Sequence, residues 1–293
     1  DGDVYDPHDG ISDLAHGTVR FVGLAQDRIA EDVLRLLRFF RFFGLYGRRA
    51  ADPDALAACR AQAEKLKGLS GERVRDELFK ILAVPEPGDV AVMMRGVGVF
   101  DHILPEAGGV GRLRMLGWLE TRAIRIEAVK PDPLRRLAAL LDTDAEGAAA
   151  AAARLRLSNR ETLHLVTLVA PPVAVSPDLD GPALRKALHR LGPDTVRDLA
   201  LLVWAGELAV TPRLPAARTE GWIGLIEACD RWRGAVFPLQ GTDALDLGIP
   251  EGPRVGQLLD GVEAWWEEGD YAADREACLE KLKALAAEDA GGD

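Results

Sequence analysis

The most regular pattern of apolar and polar positions lies in residues 27–46, DRIAEDVLRLLRFFRFFGLY. At 100° per residue, Val33, Leu36, Leu37, Phe40 and Phe43 fall on one side, as a core-facing stripe does. The pattern predicts one continuous helix. Asp27 opens it, its carboxylate accepting from free N–H groups of the first turn, and Gly44 or Gly47 ends it. The other side mixes Glu31, Arg35, Arg38 and Arg41 with Leu34, Phe39 and Phe42, with Asp32 at the border. Three arginines in steps of three among aromatics are costly to bury unless an anion meets them.

Upstream, residues 1–24 are short and β-rich, and 18–22 reads as a strand. Downstream, helices dominate. One runs from Asp52 or Asp54 to about residue 67. Ser70 caps the next, which turns Leu78, Ile81 and Leu82 inward. Further helices are expected at 90–97, 111–127, 133–141, 144–155, 159–170, 182–191, 194–208 and 211–233, punctuated by prolines. Trp222 and Trp232 are expected in the core. Near the end, Thr242 can cap a short helix that Gly248 ends, and Pro253 suits the first turn of the next. Gly256, inside that helix, predicts a close backbone approach. Helix packing is the plainer partner for it; an RNA phosphate at the helix start, beside Arg254, is the sharper one.

Composition narrows this picture. A chain of 293 residues, 48% hydrophobic, has room for two domains or one extended helical array. No run of about 18 apolar residues occurs, so no membrane partner is expected. Three distant cysteines without a CxxC spacing predict a reduced, cytoplasmic setting and no structural zinc. The net charge of −11 argues against a whole surface built for nucleic acid. Charge is uneven, however. Residues 20–49 carry seven Arg against Asp27, Glu31 and Asp32, which leaves them at +4. The stretch from Glu263 onward is acidic.

Within residues 27–46, Glu31-Asp32-Val33-Leu34-Arg35 has the form Glu-Asp-x-x-Arg. Asp32 and Arg35 are i,i+3 neighbours on a helix, so both heads can reach one spot beside it. A carboxylate accepts from an exocyclic amine, and a guanidinium donates to a ring nitrogen or carbonyl. Cytosine and adenine present that amine beside a ring-nitrogen acceptor; guanine and uracil present a carbonyl beside a ring N–H. Such a pair accepts C and A and refuses G and U. Arg38 and Arg41, further along, suit a triphosphate. The same residues also fit an ordinary ladder of ion pairs on a solvated face.

A wider arrangement bears on that choice. Tyr5-Asp6-Pro7-His8-Asp9-Gly10-Ile11-Ser12-Asp13-Leu14 is followed by Val19-Arg20-Phe21-Val22-Gly23 and then by the Glu-Asp-x-x-Arg-x-x-Arg-x-x-Arg run. Leu69-Ser70-Gly71-Glu72-Arg73-Val74-Arg75-Asp76-Glu77-Leu78 comes later. This order resembles class II tRNA nucleotidyltransferases, the CCA-adding enzymes, and the related bacterial poly(A) polymerases. The resemblance implies a hinge at Asp6, Gly10 and Asp13. It implies a nucleotide-selecting template in which Asp32 and Arg35 face the base, Arg38 and Arg41 help bind the nucleotide, and Glu31 holds Arg35. It implies a mainly α-helical neck, body and tail with a short N-terminal β remnant of a head domain. The segments would be 1–26 for head remnant and hinge, 27–108 for template helix and neck, and 109–293 for an RNA-binding body and tail. Arg73 and Glu77 would form an i,i+4 brace in the neck. Arg254 and Gly256 would touch RNA.

The implied activity is addition of C and A to tRNA 3′ ends from CTP and ATP with Mg²⁺, which two metals would assist. The family's head motifs, including its metal-binding Asp-x-Asp after a glycine-rich turn, have no counterpart here. No catalytic or metal residue is therefore expected in this chain, and no activity from it alone. Asp-x-Asp spacings at Asp1/Asp3, Asp52/Asp54, Asp142/Asp144 and Asp178/Asp180 read as loops and helix starts, and the five histidines lack partners at ligand spacing. Two positions depart from the family, Asp9 where Gly is frequent and Leu24 where Asp is. A poly(A) polymerase fragment and a non-catalytic helical RNA-binding or scaffold protein are the alternatives.

Overall fold

A computed structural model describes residues 4–123, 126 and 129–290. Asp1 and Asp3, and the part of the expected helix 111–127 at 124, 125 and 127, lie outside the described residues. The architecture is mainly α-helical. Its helices are α1 Gly10–His16, α2 Ala25–Glu31, α3 Leu34–Tyr46, α4 Pro53–Gln62, α5 Gly71–Leu82, α6 Pro87–Gly96, α7 Phe100–Ile103 and α8 Val110–Trp118. They continue with α9 Pro133–Leu140, α10 Ala145–Arg154, α11 Asn159–Val169, α12 Gly181–Leu191, α13 Pro193–Val210, α14 Ala216–Arg231, α15 Gly241–Asp246, α16 Pro253–Glu268 and α17 Arg275–Ala290. Ser70 caps α5 as expected and Asp144 and Asp180 start α10 and α12, each accepting from a first-turn N–H; Asp132 does the same for α9, and Ser158 with Glu161 closes a capping box on α11.

Two compact units result. The first comprises the described residues up to Ser176 together with Arg197–Ile226; the second comprises Pro177–Val196 and the described residues from Glu227 on. Packing does not separate 27–108 from 109–293, because α8 lies on α6 and α9 on α5 within the first unit. The second unit builds its core from Leu239, Ala244, Ile249, Leu258, Val262, Trp266, Cys278 and Leu282.

Several sequence expectations need correcting. The predicted single helix over residues 27–46 is two helices, broken where Asp32 turns extended (φ −151°, ψ 104°). The Asp32 side chain accepts from the Leu34 N–H at 3.2 Å, the local competition with helix hydrogen bonding that Asp offers. The break lets each half choose its own core contact: Ile29 of α2 packs toward α4, while Leu34, Leu36, Leu37, Phe39 and Phe40 of α3 are buried against α5 and α6. Leu34 and Phe39 thus belong to the core rather than to the polar side. Gly44 does not end α3. It lies inside the helix, where a Cβ would come within 2.9 Å of Val84 and Val90; Gly47 is the cap.

The strand expected at 18–22 is coil, and the described residues 4–24 contain α1 instead of β structure. Among the described residues no strand ladder exists for it to join; there is an isolated bridge between Ala107 and Leu141. The helix expected from 111 ends at Trp118 and passes into a π-turn, Leu119–Ala123. The helix expected from 211 starts at Ala216, after Pro215, whose missing N–H and bias on its predecessor favour a start there. Trp222 is buried, whereas Trp232 is half-buried. Gln240, not Thr242, caps α15, in a box with Asp243.

Gly17 fixes the turn after α1. Its φ is +67°, a Cβ there would stand 2.8 Å from the Arg48 nitrogen, and the Arg48 N–H donates to its carbonyl at 3.0 Å. Gly17→Ala is expected to destabilise the first unit by about 1–3 kcal/mol, read as a lower thermal midpoint.

Candidate functional site

The segment 19–22, α2 and α3 enclose a cleft of about 560 Å³ in the first unit. Arg20, Arg28, Arg35 and Arg38 line it together with Phe21, Phe39 and Phe42. Phe21 stacks on Phe39, centroids 5.4 Å apart and planes 15° apart, which is how the coil at 18–22 is held without a sheet. An apolar cleft edged by four cations fits a flat ring carrying a polyanion.

Arg35 is held in place. Its Nη1 donates to Glu31 Oε2 at 2.6 Å and to the Arg28 carbonyl at 3.2 Å. Glu31 also accepts from Arg28 Nη1 with both oxygens, at 2.9 and 3.1 Å. Hydrogen bonds from Arg35 and then Arg28 outweigh its modest desolvation and keep the Glu31 carboxyl below its ordinary range, so it stays charged.

Asp32 and Arg35 do not converge as i,i+3 partners on a straight helix, because the chain breaks between them. Asp32 instead faces α5. Its Oδ1 accepts from Arg73 Nη2 at 3.1 Å and its Oδ2 lies 3.5 Å from Arg38 Nη1. The expected Arg73–Glu77 brace is therefore absent from the ion pairs formed: Arg73 reaches Asp32, and Glu77, 4% exposed, takes Arg38 at 3.9 Å, Arg41 at 3.3 Å and Lys80 at 3.2 Å. Helix α5 thus grips Asp32 and α3 instead of pairing within itself. Arg38 serves both cleft and brace. Arg41 is not at the cleft: it lies against Glu77, with its guanidinium carbon 4.7 Å from the centre of the Phe42 ring.

Asp6, Gly10 and Asp13, the residues expected at a hinge, form a knot beside the cleft. Asp6 accepts from the Ile11 and Gly10 N–H groups at 2.8 and 2.7 Å, and these bonds hold its carboxyl below the ordinary value. Asp13 pairs with Arg20 at 2.8 Å, and Arg20 also donates to the His8 carbonyl at 2.9 Å. Asp9, where the resembled family often has Gly, sits at φ 60°, a left-handed position that Asp tolerates better than most residues.

Sequence reasoning missed Arg20 and Arg28. An i−3 relation to Glu31 could have exposed Arg28; nothing along the chain announces Arg20, which arrives through the coil. At the other candidate site, Arg254 follows Pro253 in the first turn of α16. Gly256 is exposed, and a Cβ on it would meet nothing within 4 Å. The expected close backbone approach is not made within the chain.

No group of three His, Cys, Asp or Glu that could hold a metal ion occurs among the described residues. Several carboxylates from the Asp-x-Asp spacings serve helix starts: Asp52, Asp144 and Asp180 cap α4, α10 and α12. His164 pairs with Asp198 and His189 with Glu263. Residues with these commitments do not suit a magnesium ion. No helix among the described residues is long and apolar enough to cross a membrane.

Residues 51–108 match a family profile described as the probable RNA and SrmB-binding site of polymerase A. Over 97% of its length the chain is 29% identical to the mitochondrial CCA tRNA nucleotidyltransferase 1 of Mus musculus, and over 96% it is 32% identical to that of Danio rerio. It spans 62% of each of these relatives. The Bacillus stearothermophilus CCA-adding enzyme solved with CTP shares the fold, at 21% identity and a TM-score of 0.68, over 99% of this chain and 70% of that one.

Proposed function

We propose, for a chain that belongs to the CCA-adding nucleotidyltransferase and poly(A) polymerase family and aligns with its neck, body and tail, that it selects CTP and ATP and holds tRNA for addition of C and A at the 3′ end. The supporting observation is the cleft in which Arg35, braced by Glu31, stands with Arg38, Arg28 and Arg20 around stacked aromatics. Arg35 donates to the base and Arg38, Arg28 and Arg20 meet the phosphates; Asp32 accepts from the exocyclic amine by giving up its contact with Arg73 or Arg38. Arg41 works from behind, through Glu77, which also steadies Arg38. Residues 1–26 act as hinge, 27–108 as template and neck, and 109–293 as the RNA-holding part, with Arg254 and Gly256 at an open helix start.

In relatives with a catalytic head, magnesium would supply the phosphoryl-transfer electrostatics. The described residues here do not fit that ion, so this chain's share is selection and positioning. A reducing compartment that holds tRNA belongs to the same reading. The buried and mutually distant cysteines Cys59, Cys229 and Cys278 accord with the cytoplasm, and the relatives named mitochondrial make the mitochondrion the other candidate.

A tRNA lacking its terminal CCA is expected to bind the chain with an affinity that falls linearly with log salt, measured by fluorescence anisotropy. Binding absent at low salt, or indifferent to salt, defeats the RNA-holding role and favours a scaffold. The family profile's description of polymerase A supports the second reading, an ATP-only poly(A) polymerase. CTP competing for the cleft as well as ATP decides against that one.

A further inference from the structure

We infer that a cavity of the first unit, between the start of α5 and the end of α10, takes a backbone phosphate of the RNA, with Lys67, His102 and Arg154 lining it and Arg156 beside it; the inference rests on the RNA-holding role proposed above. The cavity measures about 160 Å³. Its polar side chains are Lys67, from the 3-10 turn Ala63–Gly68, His102 of α7 and Arg154, the last residue of α10. The rest of its lining is aliphatic or glycine, and no carboxylate is among it. Lys and Arg only donate and an imidazole can, so a hollow with this lining selects an anion. The setting has the same sign. In a chain of net charge −11, residues 154–160, Arg-Leu-Arg-Leu-Ser-Asn-Arg, carry three arginines and no acid.

Packing within the chain does not account for these cations. Arg154 is fixed by Glu106, to which Nη1 and Nη2 donate at 2.7 and 2.9 Å; among the described residues that leaves its Nε uncommitted. Lys67 makes a loose i,i+3 contact of 3.6 Å with exposed Glu64, the kind that solvent screens. Arg156 is held by its backbone instead. Its carbonyl accepts from Arg75 Nη1 at 3.1 Å, and its N–H donates to the Ala153 carbonyl at 3.1 Å. Its φ of 54° is a left-handed position that glycine would occupy without strain. That backbone lays the side chain against Gly71, which lines the cavity: a Cβ on Gly71 would come within 2.9 Å of Arg156 Cγ. The exposed guanidinium beyond has no hydrogen bond or ion pair among the described residues, and Glu72 feels its charge from farther off. An arginine kept where glycine fits better, with its head open to solvent, answers to a partner outside the chain.

The test is fluorescence anisotropy of a labelled tRNA lacking its terminal CCA, over a salt series, for wild type, Arg156→Gly, Arg156→Lys and Lys67→Ala, with thermal melts alongside. Arg156→Gly and Lys67→Ala are each expected to weaken binding roughly threefold or more at low salt. Each should also lower the slope of log affinity against log salt by about one, as loss of one phosphate contact does. Arg156→Gly should do this at an unchanged or higher melting point, because glycine takes the left-handed backbone freely, and Arg156→Lys should keep most of the affinity. Wild-type affinity and salt slope in both Arg156→Gly and Lys67→Ala overturn the inference and spare the RNA-holding role. Weaker binding accompanied by a large drop in melting point overturns it as well, since the residues are then structural. A wild-type chain that leaves the tRNA unbound at low salt, or binds it indifferently to salt, overturns the RNA-holding role and this inference with it.

Discussion

Arg35→Ala, in this chain joined to a competent catalytic head, is expected to cut the preference for CTP and ATP over UTP and GTP by roughly tenfold or more, since a pair of base-edge hydrogen bonds carries about 1–3 kcal/mol of discrimination. Folding should be nearly untouched. The Arg35 side chain is 37% exposed, and its pair with Glu31 is a surface i,i+4 contact of small net worth. Asp32→Ala should act in the same direction. Arg38→Ala should instead raise KM for all four nucleotides together, because phosphate is common to them. For Arg41→Ala the geometry redirects the expectation: removing the partner of buried Glu77 costs stability before it costs nucleotide binding. The measurement is kcat/KM for each triphosphate in each variant. An Arg35→Ala enzyme that melts early yet keeps full C and A preference would show that the run is an ordinary ion-pair ladder.

The second large effect lies away from the cleft. Arg136, fully buried, donates from Nε to buried Glu120 at 2.6 Å and from Nη1 to the carbonyls of Leu82 and Val84, the latter at 2.9 Å. Arg135 joins the same Glu120 to Asp198, so one network ties the end of α5, the π-turn, α9 and α13. Removing one member strands a desolvated charge. Arg136→Ala is expected to destabilise the first unit by about 3–5 kcal/mol in chemical denaturation. The pair replacement Glu120→Leu with Arg136→Met should cost much less than the single changes added together, because no unpaired charge remains. If the double variant is as unstable as the sum, the network is not the cause.

Acid should weaken the same network. Burial pushes the Asp198 carboxyl upward, but hydrogen bonding from His164 and the charge of Arg135 outweigh it and bring it below its ordinary 3.8. A carboxyl depressed on folding contributes stability that is complete above its unfolded pKa and is lost as pH falls through the folded value. Asp198→Asn should therefore flatten the stability curve below about pH 4.

The sequence by itself determined the helical architecture, the starts of α4 at Asp52 and α5 at Ser70, and the charge pattern of the run at 31–41. These are properties of near neighbours: a cap needs a side chain three residues from an N–H, and an apolar stripe needs a period of 3.6. Glu31 with Arg35 was legible from its i,i+4 spacing, and the pair forms across the break, from the end of α2 to the first turn of α3. What tertiary structure decided was every partner chosen from another element. Asp32 left the helix because its side chain took the Leu34 N–H, and it then met Arg73, 41 residues on. Glu77 turned from its helix neighbour Arg73 toward Arg38 and Arg41 because burial under α3 left the arginines of α3 as its nearest counter-charges. Arg20 reached the cleft because Phe21 found Phe39, and no strand existed for residues 18–22 to pair with. Gly256 stayed open because no other backbone came near it. Charges and aromatics announce that they need a partner, but a linear pattern carries no record of which distant group packing will bring within 3 Å.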